Sequence, residues 1–246
     1  MLTCTAARRR DARLVALVLV AGSPIVARAD ELIPERPYAA HQLVNPLAEL
    51  ASITFEHDRR PTAGTLTARA LLPVSLDGHW YVVGRAELPL GDRGVENSSA
   101  SLYIASSDLA WRGVLLGVGP TVSFPASERD LGARATGLGI AAALLYERGP
   151  ATYGLRTEHV WSLDGDRSEL DMEPQVAWSA HDTGTLVTVS CELSLDVSDD
   201  AWSIAAIPEV GRVVDIAGVA VALTAGPLVP VAASDWGFRT SIALAP

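Results

Sequence analysis

The amino-acid sequence predicts an all-β fold: an antiparallel transmembrane up-and-down β-barrel of about 12 strands, preceded by an N-terminal signal peptide. Three observations lead to this prediction. The chain begins with an export signal, most of the remainder alternates between apolar and polar residues in segments of about ten or more, and aromatic residues fall near the segment ends. Segments of that length suit tilted strands that cross a membrane, which need about 9–11 residues each.

The first segment has the features of a cleaved export signal. Arginines cluster between positions 8 and 13, an apolar stretch runs from Leu14 to Val26, and Ala27-Arg28-Ala29 forms a small-x-small cleavage site. The apolar stretch is shorter than the roughly 20 residues of a spanning helix, although a non-cleaved anchor is the alternative. We therefore predict a signal peptide over 1–29, a short periplasmic lead over 30–44, a barrel domain over 45–246, and a location in the bacterial outer membrane.

Charge and cysteine content exclude several classes of protein. Beyond residue 29 the chain keeps 14 of its 19 basic and 28 of its 29 acidic residues, a net charge of −14. Such a chain is a poor partner for nucleic acid, whose phosphates attract Lys and Arg. Cys4 would leave with the signal, so Cys191 would have no partner for an internal disulfide. Since no later stretch is apolar enough for a spanning helix, membrane insertion would require a closed barrel.

Period-2 alternation between turn-forming residues predicts the individual strands. Apolar faces of this regularity also occur inside soluble sandwiches or lipocalin-like barrels, but the segments are about twice the usual soluble strand length. The predicted strands lie near 47–56, 65–75, 79–89, 97–107, 111–125, 135–147, 151–163, 169–180, 184–195, 201–212, 215–227 and 235–245.

Loop lengths and aromatic positions favour the membrane alternative. Most alternate connections are longer than the turns between them, as expected when outer loops are long and periplasmic turns short. Aromatic rings favour the level of the lipid headgroups, where they form girdles at both membrane surfaces. The predicted girdle consists of Trp80, Trp111, Trp161, Trp178, Trp202 and Trp236.

Charged residues on the polar faces of the strands form the candidate functional set. They would line the lumen either as a solute-selective pore or as a network of ion pairs that plugs it. Barrels of eight strands are filled by side chains and those of sixteen are open, so twelve strands leave both readings possible. The predicted lumen residues are Arg69, Arg85, Glu87, Arg156, Glu158, Glu169, Asp171, Glu173, Glu192, Glu209 and Arg239.

The sequence gives no sign of a catalytic, metal or cofactor site. None of the five histidines has metal-ligand spacing to another histidine or to cysteine. His159 is predicted to face lipid beside Trp161, and no serine is recognisable as its neighbour on the same face, which argues against a Ser-His-acid hydrolase. Cys191 alternates with apolar residues, which predicts a position facing lipid.

Several segments resemble a known family, the outer-membrane proteins named after the meta-cleavage pathway of phenol degradation. The resemblance implies a barrel of about twelve strands with a transport role, and it supplies no catalytic residues. Two features depart from it: strand 1 alternates poorly, and the chain ends in Leu244-Ala245-Pro246 instead of an aromatic residue. The similar segments are Asn45–Asp58, Gly117–Ser127, Arg148–Leu163, Trp202–Val210 and the closing DWGFRTSIAL.

The sequence thus predicts a monomeric channel or transporter for passive passage of small molecules, which the resemblance suggests are aromatic or hydrophobic. A structural or surface-interaction barrel with a plugged lumen is the main alternative. An outer-membrane hydrolase and a soluble periplasmic lipid-binding barrel are two others. The expected partners are outer-membrane lipid, an unidentified solute and, during biogenesis, the barrel-assembly machinery.

Overall fold

The structure is a computed structural model that describes residues 43, 45–48, 50–76, 79–106, 113–126, 136–165, 167–180, 183–231 and 235–245. The predicted signal peptide, nearly all of the predicted lead and Trp111 lie outside these residues. No helix within the described part of the chain is long and apolar enough to span a membrane.

The described residues form thirteen β-strands, all but one of them eight or more residues long. The exception, β4, has two residues and pairs with the end of β3. The strands are β1 (Ser52–Arg59), β2 (Gly64–Ser75), β3 (Trp80–Gly91), β4 (Gly94–Val95), β5 (Ser98–Ser106), β6 (Val114–Phe124), β7 (Gly137–Arg148), β8 (Ala151–Ser162), β9 (Ser168–Ala180), β10 (Thr185–Asp196), β11 (Ala201–Ile216), β12 (Val219–Pro230) and β13 (Gly237–Ala245).

Antiparallel pairing of the twelve long strands closes the sheet into a barrel. Each long strand pairs with its neighbours in sequence, β2 pairs with β3, and β1 pairs with β13. Closure leaves the barrel wall without a free edge, the condition that a membrane imposes on β-structure. The predicted fold class, a 12-stranded antiparallel barrel, is confirmed.

The two ends of the barrel differ in their connections, although less than the sequence predicts. One end, here called the short-turn end, carries two-residue turns after β7 and β11, and both the start of β1 and the end of β13 lie there. At the opposite long-loop end, residues 125–136 and 231–236 join strands, but only residues 60–63 and 197–200 join β1 to β2 and β10 to β11. Ala217 and Gly218 have positive φ angles, as a tight hairpin turn requires.

Alternate side chains along the strands point to opposite sides of the wall, and the outer side is apolar. Large hydrophobic residues such as Ile140, Val176 and Leu223 are exposed there, where lipid contacts a membrane barrel. The five described tryptophans of the predicted girdle are also exposed and lie within two residues of strand ends. Trp80 and Trp178 lie toward the short-turn end, and the long-loop end carries Trp161, Trp202 and Trp236.

The first predicted strand is wrong over its first half. β1 begins at Ser52, and residues 45–48 form a turn in which the Asn45 side chain accepts a hydrogen bond from the Leu47 amide at 2.7 Å. Leu47 and Ala48 are fully buried, and Leu47 packs among residues of the barrel wall. The poor alternation of the predicted strand reflects this: its first residues pack against the inside of the wall instead of forming part of it.

Candidate functional site: the barrel lumen

Contacts between distant strands identify the inner side of the barrel wall. Arg85 on β3 lies 4.0 Å from Glu173 on β9, and Arg239 on β13 lies 2.8 Å from Glu192 on β10. β3 is not adjacent to β9 in the sheet, nor β13 to β10, so the side chains of each pair meet across the lumen. By strand alternation, the other predicted lumen residues lie on the same side of the wall.

A first cluster of charges spans the middle of the lumen. Arg69 donates a hydrogen bond to Glu56 at 2.7 Å and another to Glu87, which also accepts one from Arg85. Arg156 binds Glu173, with a nitrogen–oxygen distance of 2.6 Å. Charge-assisted bonds of this kind are stronger than neutral ones, so the cluster links β1, β2, β3, β8 and β9 across the interior.

Glu158 is the most fully bonded carboxylate of the lumen. It is 5% exposed and accepts hydrogen bonds from Ser101 at 2.9 Å, Tyr103 at 3.1 Å and Arg156 at 3.0 Å. A buried carboxylate is tolerated where its oxygens are satisfied in this way. Glu158 therefore anchors the charged cluster to the hydroxyl groups of β5.

A second cluster is centred on Arg239. Its guanidinium group donates two hydrogen bonds to Asp58, each 2.6 Å long, and one to Glu192 at 2.8 Å. Glu56 lies 4.0 Å from Arg239 and also binds Arg69, so it joins the two clusters into one belt around the lumen.

The sequence did not identify Glu56 and Asp58 as lumen residues. Both lie on β1, whose true alternation is concealed when the strand is started at position 47 instead of 52. Once β1 is restricted to residues 52–59, Ile53 and Phe55 point outward and are exposed, and the acids alternate with them. The signal was therefore present, but the buried turn at 45–48 obscured it.

Three of the predicted lumen acids have no arginine among their recorded hydrogen bonds. Glu169 accepts a bond from Ser194 at 3.2 Å, and Glu209 accepts one from Thr224 at 2.7 Å. Asp171 is the third and lies beside Glu158 in the pairing of β8 with β9. The acids of the lumen thus exceed its arginines in number, and the surplus lies on β9 and β11.

The short-turn half of the lumen contains an apolar cluster. Leu47 packs with Leu71, Val83, Tyr103 and Ala143 in a cluster of buried residues. Gly117 permits the contact, because a Cβ at that position would lie 2.6 Å from a methyl carbon of Leu47. Leu43 and residues 45–48, here called the N-terminal segment, therefore occupy space inside the barrel between its short-turn end and the charged belt.

A cavity of about 110 Å³ lies where the N-terminal segment meets the charged belt. Since a buried water needs roughly 10–15 Å³ of cavity volume, the cavity has room for several waters. Thr188 and Arg85 each present a buried atom without a recorded partner there, the Thr188 hydroxyl and the Arg85 Nε. Leu43, Asn45 and Pro46 line the cavity together with Arg69, Arg156 and Arg239.

The prediction that His159 has no serine neighbour on its face of the wall is wrong. On the outer side of the wall, a ring nitrogen of His159 lies 2.8 Å from the Ser168 hydroxyl, and its ring centre lies 4.2 Å from that of Trp161. His159 thus has a serine neighbour, which the sequence reading did not recognise. In the part of the chain that is described, no carboxylate is recorded against His159 to complete a triad, and no group of three metal-ligating residues occurs.

Comparisons with known proteins place the fold among outer-membrane barrels. No family model and no curated protein matches the chain. The COG4313 outer membrane channel from Pseudomonas putida F1 superposes with a TM-score of 0.60 at 14% identity, covering 82% of this chain and 96% of that one. The KdgM porin, solved in complex with disordered oligogalacturonate, gives 0.52 at 8% identity, covering 78% and 97%.

At these identities the likeness establishes the fold. The chain has the architecture of the outer-membrane β-barrel proteins, a class that includes the channel and the porin just described. The particular family suggested by the sequence motifs stays a prediction.

Proposed function

We propose that the chain is a monomeric outer-membrane channel with a narrow, cation-preferring lumen, which lets small solutes pass passively and performs no chemistry. The observation that carries the proposal is the belt of paired charges beside a cavity at mid-lumen. Charged rings at a constriction select permeating ions by sign.

The surplus of acids sets the expected preference. Glu209 borders the cavity and bonds only to Thr224 among its recorded partners, so its charge is available to a passing cation. The KdgM porin was solved with an acidic oligosaccharide. A lumen in which acids outnumber arginines disfavours such a polyanion, so the proposed solutes are cationic or uncharged.

The N-terminal segment limits the size of the passage. It packs against the apolar cluster in the short-turn half of the lumen, and a solute moving along the barrel axis must pass beside it. We therefore expect small conductance, with the long-loop end outside and the short-turn end in the periplasm. Surrounding lipid and the barrel-assembly machinery complete the proposed set of partners.

A structural barrel with a closed lumen is the second candidate. The full burial of Leu47 and the dense pairing of the four belt arginines favour it. It predicts no ion flow, which separates it from the channel. The contact of His159 with Ser168 supports no hydrolase proposal, because no hydrogen bond joins a carboxylate to His159 among the described residues.

Planar-bilayer recording of the refolded chain, without residues 1–29, tests the proposal. We expect discrete conductance steps and a reversal potential of cationic sign across a KCl gradient. Glu209→Gln should shift that potential toward zero, whereas Asp215→Asn, a control at the rim of the short-turn end, should leave it nearly unchanged. Silent bilayers from a folded preparation would favour the structural barrel, and anion preference would contradict the proposed selectivity.

A further inference from the structure

The cavity beside the charged belt presents buried hydrogen-bonding groups that the barrel wall leaves unused. Arg85 is 7% exposed, and its Nε has no recorded hydrogen-bond partner in the described part of the chain; the same holds for the buried hydroxyl of Thr188. Both residues line the cavity, Arg85 from β3 and Thr188 from β10. Because a buried polar group without a partner costs free energy, the two groups indicate a place for a bound molecule.

Glu209 supplies an acceptor to the same cavity. One of its carboxylate oxygens accepts a hydrogen bond from Thr224 at 2.7 Å, and the Thr224 hydroxyl also lies 2.6 Å from that of Ser241. Since the Thr224 hydrogen is used by Glu209, Ser241 donates to Thr224, and this chain of bonds fixes the carboxylate at the cavity wall. Within the described residues, the other oxygen of Glu209 has no recorded hydrogen bond or ion pair.

This mixture of donors and acceptors favours an uncharged ligand. An anion would accept a hydrogen bond from Arg85 but would lie beside the carboxylate of Glu209, and a cation can pass Glu209 but has no acceptor to offer Arg85. A hydroxyl group suits both residues, because it donates one hydrogen bond and accepts others. The charges of Arg69 and Glu56, which also line the cavity, are already paired with each other.

Apolar residues form another part of the lining, and the cavity is small. Leu43 and Pro46 of the N-terminal segment and Leu186 on β10 border it, where they can pack against the C–H groups of a carbon chain. The volume of about 110 Å³ corresponds to roughly 7–11 waters. A tetritol or pentitol is of this size and carries a hydroxyl on every carbon, so it matches both the volume and the mixed lining.

We propose that this cavity is a binding site for small, uncharged polyols, which are among the solutes that the channel passes; the passage itself rests on the function proposed above. Arg85 donates a hydrogen bond to one hydroxyl of the ligand, a second hydroxyl donates to Glu209, and Thr188 bonds to either. Water can make the same bonds, but one polyol takes the place of several ordered waters, and their release favours binding.

Saturation-transfer NMR tests binding independently of conduction. The protein is purified from cells that express the full chain, in micelles of lauryldimethylamine oxide, a detergent without hydroxyl groups. The probe is erythritol, and its matched control is 1,2,3,4-tetramethoxybutane, which has the same carbon chain and no hydroxyl hydrogen to donate. We expect saturable transfer to erythritol and none to the tetramethyl ether.

Variants locate the binding in the cavity. Thr188→Val removes the hydroxyl and keeps the shape of the side chain, and we expect it to weaken erythritol binding roughly two- to tenfold, the equivalent of one hydrogen bond. Arg85→Lys keeps the positive charge beside Glu87 but removes Nε, and it should weaken binding as well. The control is Thr157→Val on the outer side of β8, which should bind erythritol like wild type.

The binding site is ruled out if folded wild type shows no saturable transfer to erythritol, or if Thr188→Val and Arg85→Lys both bind it like wild type. Planar-bilayer recording keeps this inference apart from the proposed channel. Erythritol binding by a protein that leaves bilayers silent would retain the site and reject its role in passage. Ion conductance without erythritol binding would retain the channel and reject the site.

Discussion

The two halves of the lumen are filled by different physical means. Toward the short-turn end, the N-terminal segment packs Leu47 against apolar wall residues, whereas at mid-lumen Arg156 and its partners hold the wall together through ion pairs. The N-terminal segment can leave its packing site while the barrel wall stays closed. Ion pairs between wall strands are part of the barrel itself, so disturbing them should act on stability before it acts on conduction.

The largest expected effect on stability is at Arg156. Its side chain is 14% exposed and pairs with Glu158 and Glu173, which are 6% and 15% exposed. Arg156→Ala leaves both carboxylates without their nearest counter-charge, and breaking such a buried pair costs on the order of 3–5 kcal/mol. Urea unfolding in lipid vesicles measures the loss in free energy of unfolding. Arg212→Ala, at an exposed residue, is the control. A loss no greater than that of the control would show that water solvates the belt.

The second prediction concerns Leu47, whose replacement should change conductance more than the stability of the barrel. Leu47→Ala removes buried apolar contacts, which costs roughly 2–5 kcal/mol at a packed site, but here the loss falls on docking of the N-terminal segment. We expect larger or more frequent conductance steps with little change in unfolding of the barrel. Leu76→Ala, at a residue 63% exposed, is the control. Unchanged conductance together with a destabilised barrel would show that the N-terminal segment is part of the core of the barrel.

The third prediction compares the two sides of the wall. An arginine at Val176, which is 42% exposed on the outer side, should cost about 2–4 kcal/mol if that position lies near the membrane midplane. An arginine in place of Ser241, which lines the cavity, meets water and surplus acids and should cost less. Refolding titrations of Val176→Arg and Ser241→Arg measure the difference, and equal costs would contradict the assignment of inner and outer faces.

The alternation of the strands is what made most of the fold predictable. Side chains change sides at every residue, so the face of Arg156 or Glu173 follows from its own strand without knowledge of the others. The predicted strands consequently match the observed ones within a few residues over most of the chain. The largest extension is in β11, which runs to Ile216, because Val213 continues its alternation past the predicted end.

What the sequence did not predict depends on contacts between separate parts of the chain. Leu47 resembles a strand residue, and nothing local shows that it packs inside the barrel against Tyr103. That Arg85 and Thr188 line one cavity likewise depends on the closure of the barrel, because their strands are not neighbours in the sheet. The contact of His159 with Ser168 joins diagonal positions on β8 and β9. Pairing arginines with particular acids needed the same long-range information.

The smallest expected effect concerns the acids that the arginines leave unpaired. Glu169 and Asp171 lie two positions apart on the lumen side of β9, nearer the long-loop end than the belt. Like charges placed this close repel each other, so Glu169→Gln with Asp171→Asn should leave the free energy of unfolding unchanged or raise it by no more than about 1 kcal/mol. The same change removes two negative charges from the path of an entering cation.

The double variant should therefore lower cation preference, and the loss should shrink at high salt because charges near water are screened over about 10 Å at 0.1 M. Reversal potentials at two KCl concentrations measure both effects. Glu147→Gln with Asp215→Asn, two exposed acids near the short-turn end, is the charge-matched control and should act more weakly. If both pairs shift the potential equally, selectivity follows the net charge of the barrel instead of its long-loop entrance. If only the β9 variant shifts the potential, ions are selected before they reach the arginine belt. The belt then serves chiefly to hold the narrow barrel together.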